Sequence, residues 1–201
     1  LCSILVVFYN DIKDIILTVS SKETQKYILL ILIGTLPAVV IGLGMKDHLE
    51  QLFDDLIVVG FALIFTGLIL MSSRYFKRNN KDHSILTSFF IGIAQAIAII
   101  PGISRSGMTI SCALLLGLDS KQAAKFSFLL AIPVISGAGL LMAADIDSGS
   151  NMDLSTSLAG LITSFGIGII SLRWLLGWLE DGKFHYFGVY CFSIGIFTVV
   201  A

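Results

Sequence analysis

The sequence predicts an all-α polytopic membrane protein, with about five to six transmembrane helices and one re-entrant pair of half-helices. Three observations carry that expectation. The 201 residues are 56% hydrophobic and 13% charged, against roughly 25% charged in a soluble domain. The apolar residues fall in runs that approach the ~20 residues needed to span a bilayer. One long run is broken at its centre by Pro101-Gly-Ile-Ser-Arg-Ser-Gly-Met-Thr109. Polar, irregular backbone at membrane depth is tolerated only where it is buried in protein or lines a cavity. Residues 1–201 read as a single integral-membrane domain, and the net charge of −1 gives no nucleic-acid footprint.

The elements follow in order. Residues 1–9 read as the tail of a membrane helix. The chain begins inside this apolar run at Leu1 with no signal-peptide pattern, so further sequence is expected upstream. Residues 10–26 form a mixed, partly amphipathic connection. Residues 27–45 are a first complete span, with Pro37 inside it, and residues 56–73 are a second. Residues 85–100 and 102–118 are two shorter apolar pieces on either side of the Ser-Arg-Ser tip. Residues 126–144, with Pro133, are a third span. Residues 157–179, carrying Arg173 and Trp174 near one end, are a fourth, and residues 186–201 are a fifth. Cys2, Cys112 and Cys191 are isolated in apolar runs, with no metal-ligand or CxxC spacing; they read as small hydrophobes.

Loop charge orients these pieces. Arg74, Lys77, Arg78 and Lys81 make a basic, cytoplasmic loop. Residues 46–55 are acidic through Asp47, Glu50, Asp54 and Asp55, and Asp145, Asp147 and Asp153 make a second acidic loop outside. The connection 119–125 is mildly basic through Lys121 and Lys125. The two basic segments belong on one side, so the chain between them goes in and comes back. At about 1.5 Å per residue, each piece reaches roughly 24–26 Å, short of the ~30 Å hydrocarbon core. A re-entrant hairpin over about 85–118 fits better than two full spans. A weak internal echo places Pro37 followed by Gly42 and Gly44 against Pro133 followed by Gly137 and Gly139. That suggests two repeats, the first of them lying partly upstream of Leu1.

The tip carries the chemistry. A buried arginine costs roughly 2.5–3.5 kcal/mol on the mildest insertion scale, which marks a functional site. Residues 107–118 read as a half-helix whose first turn presents free amides and a positive dipole end. Ser104 or Ser106 can cap it, and Thr109 lies within it. Arg105 adds a permanent charge and a bidentate donor fork. Gly107 loosens the backbone, and Gln95, on the incoming arm, can orient a phosphate oxygen or a water. Together these residues form an anion cradle suited to phosphate. Ser and Thr also serve as packing residues in membrane helices, so the cluster argues more strongly than any member. No Asp, Glu or His lies between residues 85 and 118. His48, His83 and His185 read as solvated or interfacial residues.

The segment Ala94-Gln-Ala-Ile-Ala-Ile-Ile-Pro-Gly-Ile-Ser-Arg-Ser-Gly-Met-Thr-Ile110 resembles the second signature of the undecaprenyl-diphosphate phosphatases, the bacitracin-resistance family. Phe126-Ser-Phe-Leu-Leu-Ala-Ile-Pro133 and Gly34-Thr-Leu-Pro-Ala38 resemble flanking segments, in order along the chain. The resemblance implies a multi-pass enzyme of the bacterial inner membrane, built from inverted repeats. It would remove one phosphate from undecaprenyl diphosphate, recycling the lipid carrier of peptidoglycan synthesis. A divalent cation, Mg or Ca, is implied as cofactor, though no ligands for it are identifiable here, and a homo-oligomer stays open. Ser104, Arg105, Ser106 and Thr109 match catalytic positions, with Arg105 and Gly107 on the diphosphate. Gln95 matches a place where the first repeat carries glutamate.

Two features depart from the family pattern. The first signature, a Glu-rich helix followed by Pro-x-Ser-Ser-Thr-Gly-His, is not found in these residues. The expectation is therefore an anion clamp without its base, and whether these residues act alone stays open. Tyr190 is followed by Cys191 where the family has arginine. A lipid-phosphate transporter or flippase, or an inactive fragment, is the alternative reading.

Overall fold

A computed structural model of the protein describes residues 1–44, 55–76, 82–144 and 154–200. All regular structure among them is helical. In order, the helices are α1 (Cys2–Val7), α2 (Tyr9–Leu17), α3 (Lys22–Gly44), α4 (Leu56–Ser72), α5 (Ile85–Ile97), α6 (Arg105–Leu115), α7 (Ser120–Ala144), α8 (Leu154–Glu180) and α9 (His185–Val200). A single 3-10 turn, Ser73–Tyr75, extends α4. Among the described residues, four helical stretches are long and apolar enough to cross a membrane: Lys22–Gly44, Leu56–Tyr75, Ser120–Leu141 and Ser155–Glu180. α5 and α9 are shorter apolar helices. The chain is an all-α polytopic membrane protein, whose outward surface carries large apolar side chains such as Leu158, Ile162 and Ile170.

The apolar runs set most element bounds, and the differences have local causes. The first run is not one helix: the backbone breaks at Phe8, and α2 then runs on through the mixed segment. α3 begins at Lys22, ahead of its apolar stretch, because Lys22, Glu23 and Lys26 are good helix formers. Both Pro37 and Pro133 lie inside continuous helices. The acidic loop residues Asp47, Glu50 and Asp54, with His48, lie outside the described residues. So do Lys77, Arg78 and Lys81 of the basic loop, and Asp145, Asp147 and Asp153. Asp55 caps α4 by accepting the Ile57 and Val58 amides at 2.9 and 3.2 Å.

Close backbone contact joins two pairs of helices. α4 and α9 run antiparallel along a seam of small residues seven apart. A side chain at Gly67 would meet the Gly188 carbonyl at 2.8 Å, and one at Gly195 would meet the Gly60 carbonyl at 2.8 Å. α3 and α5 meet where a side chain on Gly92 would enter the Gly34 carbonyl. Small residues of this kind let membrane helices approach until their backbones touch.

One end of the molecule gathers the charged and aromatic boundary groups. Lys125 pairs with Asp11 at 2.6 Å, and Lys121 reaches Glu180 at 3.8 Å. The His83 ring stands edge-on to Phe126 with centroids 4.1 Å apart, and Tyr27 lies 6.3 Å from it. The start of α5 and the start of α7 therefore lie at the same end, as the loop charges predict.

Candidate functional site

The site is the turn between α5 and α6. α5 stops at Ile97 and α6 resumes at Arg105, three residues inside each predicted arm. Pro101 supplies no amide donor and disfavours a helical residue before it. Gly102 then adopts φ 89°, the left-handed region that glycine alone enters freely. A side chain there would strike the Val59 carbonyl at 2.5 Å and Ala62 Cβ at 2.9 Å, so the turn is seated directly on α4. At about 1.5 Å per residue, the two arms are roughly 20 and 17 Å long.

Thr66, in the interior of α4 and fully buried, ties the turn down. Its Oγ1 donates to the Gly102 carbonyl at 3.4 Å and accepts the Ser104 amide at 3.2 Å. Ser104 is the N-cap of α6: its Oγ accepts the Gly107 amide at 3.2 Å. Such a cap stabilises a helix by about 1 kcal/mol. The amides of Arg105 and Ser106 then have no intrahelical acceptor.

These constraints aim Arg105 and Ser106 at one cavity of about 550 Å³. Its wall is otherwise largely apolar, from Ile4, Ile99, Ile100, Ile103, Phe128 and Ile135. Ser127 of α7 joins it as a third polar side chain. Among the described residues the Arg105 guanidinium has no carboxylate partner, so its charge is free to meet a ligand.

The six residues singled out in the sequence separate into different roles. Arg105 and Ser106 line the cavity. Ser104 caps α6 by accepting the Gly107 amide and does not line the cavity. Gly107 is buried against Leu70 and Ser104, where a side chain would meet Leu70 Cδ1 at 2.8 Å. Its role is close packing rather than contact with the cavity. Thr109 is fully buried; its Oγ1 donates to the Arg105 carbonyl at 2.9 Å and lies 2.5 Å from Ser127 Oγ. Gln95 is 1% exposed, does not line the cavity, and neither amide atom has a partner among the described residues. Leaving such an amide unpaired costs about 1–3 kcal/mol.

Two residues of the site escaped sequence reasoning. Thr66 and Ser127 are single hydroxyls inside apolar runs, where packing is the ordinary explanation. The available signals are local: Thr66 precedes a seam glycine, and Ser127 stands between two phenylalanines.

Burial and the Lys26 charge together push His83 down to about 4. It is neutral at physiological pH and bonds Ser88 Oγ at 3.0 Å. It supports the base of the hairpin and does not line the cavity. Among the described residues no carboxylate or imidazole lines the cavity either. Among the described residues no three His, Cys, Asp or Glu side chains gather where they could hold a metal ion. The donor set among the described residues does not fit a protein-held divalent cation.

The family model for the bacitracin resistance protein BacA matches residues 1–197. The undecaprenyl-diphosphatase of Christiangramia forsetii is 39% identical, over 98% of this chain and 77% of its own. That of Methanothermobacter thermautotrophicus is 39% identical, over 86% of this chain and 98% of its own. That of Halothermothrix orenii is 38% identical, over 98% of this chain and 77% of its own.

Proposed function

Since the chain belongs to the bacitracin resistance protein BacA family, we propose that it is an undecaprenyl-diphosphatase of the bacterial inner membrane. The reaction breaks the P–O–P anhydride of the lipid diphosphate. Water supplies the oxygen that leaves on inorganic phosphate, and the lipid monophosphate stays in the bilayer for reuse in peptidoglycan synthesis. The observation that carries this reading is the cavity. It sets Arg105 and Ser106 in an otherwise apolar wall, as an amphipathic lipid diphosphate requires.

In this reading Arg105 grips two phosphoryl oxygens with its planar fork. The free Arg105 and Ser106 amides and the Ser106 hydroxyl surround the charge at a helix N-terminus. Preorganised donors of this kind act chiefly on charge developing in the transition state. Ser104 and Gly107 are positioning residues that fix the first turn of α6, and Thr109 stands behind the Ser127 hydroxyl. Gln95, buried away from the cavity, is proposed to hold a water with its unpaired amide. These residues do not assemble ligands for a divalent cation, and in this reading the phosphate contacts come from Arg105, Ser106 and the free amides.

The test is phosphate release from undecaprenyl diphosphate by the full chain in lipid nanodiscs. Arg105→Ala should lower turnover at least about a hundredfold, the cost of removing one preorganised charge-stabilising group. Equal turnover in a correctly inserted variant would sink the assignment.

A further inference from the structure

Thr109 and Ser127 present hydroxyls 2.5 Å apart from different helices, α6 and α7. Ser127 is 3% exposed yet lines the cavity beside Arg105 and Ser106. A hydroxyl carries one proton. Either hydroxyl can donate across the pair; when Thr109 gives its proton to the Arg105 carbonyl, it accepts that of Ser127. In this arrangement Ser127 offers the cavity only lone pairs, which suit an anion poorly. The arrangement is reversible at small cost. The Arg105 carbonyl is also the helical acceptor for the Thr109 amide, four residues on, so it stays satisfied when the hydroxyl turns away.

We propose that Ser127 is a further phosphate-binding residue, switched from acceptor to donor by Thr109. When a phosphoryl oxygen enters the cavity, Thr109 turns its proton onto Ser127 Oγ, and Ser127 turns its own onto the ligand. Each hydroxyl keeps its proton and no covalent bond changes. The result is a charge-assisted hydrogen bond, strengthened because Thr109 polarises the group that makes it. It comes from α7, so the anion is held between two helices rather than by one helix terminus. Ser104 does not serve in this way, because it does not line the cavity. The inference rests on reading the cavity as the diphosphate site.

The experiment is calorimetric titration of the full chain in nanodiscs with inorganic diphosphate, with circular dichroism confirming the helical fold of each variant. Ser127→Ala should weaken binding about tenfold, the scale of one hydrogen bond to a charged group. Thr109→Val keeps the Ser127 hydroxyl unpolarised and should weaken binding about threefold. The double variant should match Ser127→Ala alone, since Thr109 acts on the ligand only through Ser127. If Arg105→Ala loses diphosphate while Ser127→Ala binds it like the parent, the Ser127 role is overturned and the cavity reading survives. Losses that add in the double variant overturn the relay. If Arg105→Ala binds diphosphate like the parent, the cavity reading falls and Ser127 falls with it.

Discussion

α4 presents two faces that are held in opposite ways. Toward α9, Gly60 and Gly67 let backbone meet backbone. Toward the hairpin, Ala62 and Thr66 receive the tip, and Thr66 hydrogen-bonds both sides of the Gly102 turn. The first contact is apolar and fixes where two helices lie. The second is polar and fixes where individual backbone groups point. Membrane interiors offer little hydrophobic drive between helices, so close packing and hydrogen bonds must do this work. The protein divides them: packing builds the frame, and hydrogen bonds aim the site.

That division can be broken in four ways, from the largest expected effect to the smallest. Arg105→Ala should cost at least about a hundredfold in turnover while leaving the thermal midpoint near that of the parent, because the side chain faces the cavity rather than α4. Gly67→Ala should do the reverse. Its new methyl meets backbone atoms at 2.7 and 2.8 Å, and overpacking of this kind costs about 1–3 kcal/mol. The midpoint of thermal unfolding should fall, with turnover per folded molecule little changed.

Thr66→Val is the sharper probe, because it alters the other face of the same helix. It keeps volume but leaves the Ser104 amide without its partner, a cost of about 1–3 kcal/mol. Turnover should fall several-fold while the α4–α9 pairing survives. Equal losses of stability from Thr66→Val and Gly67→Ala, with no change in turnover from either, would erase the distinction.

The smallest effect is a pH slope. His83 has a folded pKa of about 4, below the usual ~6.5 of an exposed histidine. Between those values the unfolded chain takes up a proton that the folded chain refuses. Stability is therefore full above about pH 6.5 and is lost as pH falls toward 4. His83→Gln should flatten the dependence of the thermal midpoint between pH 7 and 5.

The frame was far more legible in the sequence than the aim of the site. Apolar runs locate the membrane helices to within about six residues, because bilayer thickness imposes length on them. The helix break at Phe8 left no such mark, since Leu1 through Tyr9 is apolar on both sides of it. Pro101 and Gly102 announced the tip, and Arg105 announced its charge. Which hydroxyls face the cavity could not be read, because that depends on neighbouring helices. Ser104 and Ser106 look equivalent around Arg105, yet one caps the helix and the other lines the cavity. Thr66 and Ser127 gain their roles only when α4 and α7 are brought against the hairpin.

The glycine seam also acts mechanically, as a detent. Its notches recur every seven residues on both helices, at Gly60 and Gly67 on α4 and at Gly188 and Gly195 on α9. A slide that re-engaged them would have to cover about 10.5 Å, so smaller slips meet colliding side chains. Thr66 sits between the two notches of α4. The detent that stops α4 from sliding therefore also sets the depth at which the hairpin tip, and the arginine it carries, comes to rest.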